Sequence, residues 1–289
     1  MEKRNRRKKK QGYSPFWEAW LRFKRNPTAI VGLSLVTLIV LIAIFADVIS
    51  QYDPYLSTPD YTQPPSAAHW FGTDHIGRDL FARCMYGARW SLPIGCATMV
   101  LALMGGGTLG IVSAYFGKSA DAVIMRVMDV LQAIPGVLLA IIIMSSLGTG
   151  NIQLMMALFV SSMPAMSRTF RAAILTIRGN EYIQAARCIG SRSIRLVLQH
   201  MLPNAVGYII IFTVHAVSNG IMLIATLSYI GLGVKPPYPE WGSLLSLGKD
   251  YITSFPHMTI FPGIMIMITV LAFNLLGDGL RDALDPRLK

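Results

Sequence analysis

Asn180 to Asn204 reads NEYIQAARCIGSRSIRLVLQHMLPN. It is the most polar and charged stretch in the second half of a very apolar chain. The pattern predicts two short helices with a break between them. Asn180 suits the first helix as its cap, and Glu181 suits the positive end of that helix. Gly190 stops it, and Ser191 is placed to cap the second. Pro203 ends the second, because proline disfavours helical geometry in the residue before it. Ala185 and Ala186 carry almost no side chain, so another surface could approach the backbone there. Arg187, Arg192 and Arg195 surround that smooth spot with positive charge.

On both sides of this stretch the charges disappear. No Asp, Glu, Lys or Arg occurs in 28–46, 90–117, 130–167, 196–234 or 251–277. About 20 apolar residues span a bilayer core, and 130–167 is long enough for two passes, divided by the turn Gly148-Thr149-Gly150-Asn151. The expectation is an all-α membrane protein with six transmembrane helices. Composition agrees: 53% of the 289 residues are hydrophobic and 14% charged, and the mean hydropathy is +0.48, unlike an ordinary soluble domain.

A net charge of +11 raises the question of nucleic acid. The placement of the charge answers it. With a cytoplasmic amino terminus, the inside segments 1–27, 118–126, 168–195 and 281–289 hold 21 of the 26 Lys and Arg. That bias fixes an orientation with both termini and 180–204 in the cytoplasm. The basic run MEKRNRRKKK then faces anionic lipid rather than nucleic acid. Cys84, Cys96 and Cys188 fall on different sides or inside a helix, so neither a disulfide framework nor a zinc spacing follows.

The pattern Gln184-Ala185-Ala186, then Gly190, then Leu202-Pro203 resembles the EAA loop of ABC importer permeases, with Gln184 where that family has Glu. The resemblance implies a type I permease fold and a cytoplasmic loop that docks into a groove on an ATPase subunit. It assigns that coupling to Glu181, Gln184, Ala185, Ala186, Arg187, Gly190, Leu202 and Pro203. A second motif, FGTDHIGRDLFARCMYGARWSL from Phe71 to Leu92, resembles the dipeptide, oligopeptide and nickel branch, in its C-type permease. Gly72, Asp74, Gly77, Arg78 and Asp79 belong to it. Its glycines permit tight turns, and Arg78 can pair with Asp74 or Asp79. A structural lid is favoured over substrate contact.

The rest of the chain fits the same frame. Ser14-Pro15 opens a short helix with Phe16, Trp17, Trp20 and Leu21 on one face, suited equally to the membrane interface or to packing on the protein's own cytoplasmic side. Residues 29–49 carry the first membrane helix, an uncleaved anchor, since Ile44-Phe45-Ala46 is not a small-x-small cleavage site. An external loop, 50–91, follows. A five-helix core, 92–278, contains the loop 179–204, and 279–289 is a cytoplasmic tail. Arg126 and Asp129 are spaced to pair on one helix face. Pro135-Gly136, Pro239 to Leu245 and Asn274 to Arg287 also match the family. Gly117-Lys118-Ser119 ends like a phosphate-binding loop, but position 112 is Val where that motif needs Gly.

Within the fifth helix, from about Val206 to Ile230, His215, Ser218 and Asn219 are polar groups inside a membrane. Such groups line a water path or tie helices together. They also admit an intramembrane serine protease built on Ser218 and His215. The segment HAVSNG lacks the G-x-S-x-G elbow, however, and its helix offers no partner carboxylate.

The resemblance implies a permease subunit in a bacterial or archaeal plasma membrane, with no catalytic residue, metal or cofactor of its own. It implies a second homologous permease, two ATPase subunits that bind ATP and magnesium, and an external substrate-binding protein. Peptides are the expected cargo, with nickel or another small solute as the alternative. The five histidines show no metal-ligand spacing.

Overall fold

The computed structural model describes residues 15–191 and 193–284. Met1–Lys10, the Ser14 cap, Arg192 and Asp285 to Arg287 lie outside the described residues, as does the side chain of Phe16. The described chain is helical, with one isolated bridge between Thr73 and Asp79.

A short helix α1, Pro15–Phe23, precedes α2, Pro27–Ile44. Asn26 starts α2: its side chain accepts from the Thr28 and Ala29 amides, and Pro27 occupies the first turn, where its missing N–H costs nothing. A one-turn helix α3, Ala46–Ile49, follows beyond the apolar span. Then come α4, Leu80–Phe116; α5, Lys118–Gln132; α6, Gly136–Leu147; and α7, Asn151–Arg178. Helix α8, Glu181–Cys188, and a short α9, Ser193–Arg195, lead through a π-turn, Leu196–Met201, into α10, Leu202–Tyr229. The chain closes with α11, Trp241–Gly248, and α12, His257–Leu284.

Six spans are expected from the sequence. Among the described residues four helices are long and apolar enough to cross a membrane: α2, α4, the continuous rod Ser193–Tyr229, and α12. Helices α5 and α6 together qualify as a fifth, but they meet at 86°. The break falls at Pro135-Gly136, where Pro135 cannot extend the α5 hydrogen-bond ladder. The third expected pass is therefore bent rather than straight. Helix α7 has 28 residues, but Arg168, Arg171 and Arg178 occupy its second half, so composition alone does not qualify it.

Other boundaries also move. Helix α4 starts at Leu80, not near Leu92, because Asp79 caps it by accepting from the Ala82 amide at 2.6 Å. The segment between the first apolar span and α4 is therefore 50–79. Helix α12 runs on to Leu284, so 279–284 are helix rather than tail.

Packing follows the small residues. A Cβ on Gly106 or Gly110 of α4 would lie 2.8 Å from the Met163 carbonyl or 2.2 Å from the Ser167 carbonyl of α7. The Ser167 hydroxyl donates to the Gly106 carbonyl at 2.9 Å. Close backbone approach of this kind replaces the hydrophobic drive that lipid does not supply. Helices α2 and α12 meet similarly, Gly32 against Leu276 and Gly279 against Ala29. Asn26 also donates to Asp282 at 2.9 Å. Asp129 pairs with Arg168 of α7 at 2.6 Å, not with its helix neighbour Arg126; α7 brings a guanidinium within closer reach.

Residues 50–79 fold as a cap over the starts of α4 and α12. The Arg78 Nε donates to Asp74 at 2.7 Å, and the Arg83 Nε lies 3.7 Å from the same carboxylate. All three are buried. Arg83 also donates to the Pro54 carbonyl at 2.9 Å. Asp79 takes His69 Nδ1 at 2.8 Å. Trp241 is fully buried, and its Nε1 donates to the Cys84 carbonyl at 2.8 Å. Glu240 caps α11 by accepting from the Gly242 and Ser243 amides. Phe71 stacks on Phe261 with centroids 3.9 Å apart.

Candidate functional site

The polar segment 180–204 is a built structure. Helix α8 begins at Glu181, but the Asn180 side chain makes no capping bond; its amide nitrogen lies 3.4 Å from the Tyr182 hydroxyl instead. Gln184 donates to the Gly179 carbonyl at 3.2 Å. Ile183 and Ala186, three apart, are the buried face of α8, packed with Ile174, Ile177, Leu196, Met201 and Ala205. Ala185, by contrast, is exposed. The two alanines are not one smooth spot, because a helix turns them about 100° apart.

Gly190 ends α8 with φ +79°. Its amide donates to the Arg187 carbonyl at 3.0 Å, and the Ser191 amide donates to Ala186 at 3.1 Å. Those two bonds are a Schellman motif, which needs a left-handed residue at the position Gly190 fills. Nothing lies within 4 Å of the space a Cβ on Gly190 would occupy, so backbone conformation rather than crowding demands the glycine. The second helix is described from Ser193; Arg192, which a Ser191 cap would make its first residue, lies outside the described residues.

Pro203 does not end that helix. The π-turn widens the backbone just before it, with the Leu202 amide bonded to the Val197 carbonyl, and the rod continues to Tyr229. An i→i+5 turn leaves room for a proline ring that would collide with an α-helical carbonyl. The Asn204 side chain donates to the His200 carbonyl at 2.6 Å.

The segment's outer surface carries large apolar side chains among its charges. Ile189 is 84% exposed, Ile194 73%, Leu198 56% and Tyr182 44%. Between Ile194, Val197 and Leu198 and the end of α4 at Tyr115 and Phe116 runs a groove of about 200 Å³. The Arg187 guanidinium sits 5.7 Å from the Tyr115 ring centre. Sequence reasoning passed over these four side chains. Their signal is large aliphatic residues placed on either side of a glycine stop in a charged stretch. Glu181, Gln184, Arg187 and Pro203 are exposed beside them, while Leu202 is half-buried.

The three polar residues of α10 separate. His215 Nε2 meets Asp278 of α12 at 3.2 Å, and Nδ1 lies 3.0 Å from the Ile211 carbonyl. Ser218 is buried, its Oγ 2.7 Å from Asn274 Oδ1 and 2.9 Å from the His215 carbonyl. Asn219 is exposed. A carboxylate for His215 does exist, on the neighbouring helix, but the Ser218 hydroxyl does not face the imidazole. No Ser–His dyad forms, and the two residues tie α10 to α12.

Residues 106–289 match the model of the binding-protein-dependent transport system inner membrane component, and 14–67 match the N-terminal TM domain of oligopeptide transport permease C. The chain belongs to the binding-protein-dependent ABC importer permeases. It is 42% identical to the dipeptide transport system permease protein DppC of Alkalihalophilus pseudofirmus over 96% of this chain and 91% of that one. It is 41% identical to the glutathione transport system permease protein GsiD of Pectobacterium atrosepticum, over 96% and 92%. With the oligopeptide transport system permease protein OppC of Bacillus subtilis it shares 41%, over 97% and 92%. The permease is thus an inner-membrane component with the type I importer fold, working with ATPase and substrate-binding partners, and its buried Asp74–Arg78–Arg83 cluster and 180–204 segment are parts of a transporter rather than of an enzyme.

Proposed function

We propose that this permease is the C-type subunit of a peptide importer, forming half of the pore with a second, homologous permease. Two ATPase subunits sit on the cytoplasmic face, the segment 180–204 docks into a groove on one of them, and an external binding protein delivers di- or oligopeptides. The observation that carries the reading is the exposed apolar face of Tyr182, Ile189, Ile194 and Leu198 on an otherwise charged segment. Apolar residues of that size in water call for a partner surface. Ala185, Glu181, Gln184 and Arg187 rim it, and Gly190 holds the turn. ATP and magnesium are bound by the ATPase partners, so the purified chain alone hydrolyses no ATP. Dipeptide, oligopeptide and glutathione are all named in the relatives, which supports a cargo with a peptide backbone.

The test is the reconstituted complex. Ile194→Asp and Ile189→Asp should leave membrane insertion intact while the ATPase subunits no longer co-purify and peptide uptake falls. Normal docking in both variants overturns the assignment of the segment. Orientation rests on the lysine and arginine bias, with both termini and 180–204 in the cytoplasm of a bacterial or archaeal cell. In a cysteine-free background, Ser57→Cys should react with an impermeant maleimide only from outside; labelling only from the cytoplasm reverses the topology.

A further inference from the structure

The π-turn Leu196–Met201 contains one residue more than an α-helix needs. Leu196 and Met201 are both fully buried in the same apolar cluster as Ile183, Ala186, Ile174 and Ile177. They are five apart in sequence. In α geometry residues five apart stand about 140° from each other around the axis and cannot share a face. An i→i+5 turn stacks them. The packing of the cluster therefore depends on the wide turn. Upstream, α8 packs on α7 and the end of α4, and α10 packs on the same two helices. Downstream, α10 is tied to α12 through His215–Asp278 and Ser218–Asn274.

We infer that this turn is the moving joint between the 180–195 segment and α10, a place where π and α geometry interchange. Converting it to α without changing the residue count turns the upstream segment by about 100° relative to α10. That is a discrete rotation available without melting either helix. Pro203 biases the joint toward the wide form, because its ring opposes α geometry at this point. The inference rests on the docking role proposed for the segment, and adds how movement there passes into the membrane.

The test locks the joint. In a complex otherwise free of cysteine, Gln199→Cys and Asn204→Cys, both exposed and five apart across the turn, are bridged by a short bis-methanethiosulfonate reagent. The expected result is that ATPase subunits still co-purify, while peptide transport is lost and returns on reduction. Transport at the unbridged rate overturns the joint; so does loss of docking on bridging, which would make the turn part of the contact itself. A second variant removes the slack. Deleting Gln199 together with Pro203→Ala leaves Leu196 and Met201 four apart, compatible with a plain α-helix. It should dock and not transport, whereas Gln199→Ala, with the count preserved, should do both. A deletion variant that transports normally overturns the inference. Failure of the docking reading shows up separately, as co-purification surviving Ile194→Asp.

Discussion

Arg89 of α4 holds Asp47 of α3 with both prongs of its guanidinium, Nη2 to Oδ2 at 2.7 Å and Nη1 to Oδ1 at 3.1 Å. The same side chain donates to the Ala43 and Ile44 carbonyls at 2.5 and 2.8 Å, two groups left without helical partners at the end of α2. The Tyr86 hydroxyl donates to the same carboxylate. One arginine thus caps a membrane helix and pins it to the next.

Arg89→Lys keeps the charge and loses the fork. The unfolding midpoint should fall by about 2–4 °C, the scale of a small stability loss in a chain of this size class. Arg89, and after it Tyr86, hold the Asp47 carboxyl below its ordinary value. The pair therefore contributes fully above the range of a free aspartate and loses its contribution as pH falls through the lowered value. The midpoint difference between Arg89→Lys and wild type should be flat at neutral pH and shrink once pH drops below about 4. Thermal scans across pH check it; a difference that grows on acidification contradicts the pairing.

Asp74→Ala leaves Arg78 and Arg83 buried without their shared carboxylate. Removing one partner from a buried ion pair costs about 3–5 kcal/mol. The cap 50–79 should become sensitive to protease, with Asp74→Asn intermediate. Limited proteolysis in detergent reads the outcome, and equal resistance in all three chains refutes the account.

At the α4–α7 contact, Gly110→Ala puts a methyl 2.2 Å from the Ser167 carbonyl. Overpacking of this kind costs about 1–3 kcal/mol. Gly136→Ala, where nothing lies within 4 Å, should be neutral or mildly stabilising. Comparison of the two melting curves is the measurement.

Ala185 and Ala186 should part company. Ala186→Trp forces an indole into the cluster of Ile183 and Leu196, so yield and melting temperature should drop. Ala185→Trp projects into solvent and should leave the isolated permease stable while weakening ATPase co-purification. Similar melting curves for the two variants would mean that α8 does not pack as described.

The sequence made the long apolar helices visible because charge-free runs of membrane length have few other uses. It also placed Gly190, whose left-handed turn is a local matter, and it offered Arg78 either Asp74 or Asp79, of which Asp74 is the partner. What it hid was non-local. Asp129 had a near partner in sequence and a better one in α7. Ala186 looked like Ala185 until its spacing from Ile183 was set against the cluster beneath. Pro203 read as a stop, because a proline rule sees the preceding residue and not the extra one that widens the turn. Ser218 and His215 looked like neighbours, yet their partners, Asn274 and Asp278, lie on another helix.

Helix α10, Leu202–Tyr229, has 28 residues, about 42 Å at 1.5 Å per residue. One end adjoins the wide turn. Near the other end, Ala225 and Ser228 lie against Gly242 at the head of α11, with no room for a methyl between them. A helix of this length would act as a lever. A tilt of about 10° about its middle, on the same 1.5 Å rise, would swing each end by about 4 Å in opposite directions. A displacement at Leu202 would then be felt at Gly242, with no diffusing messenger and no change of charge.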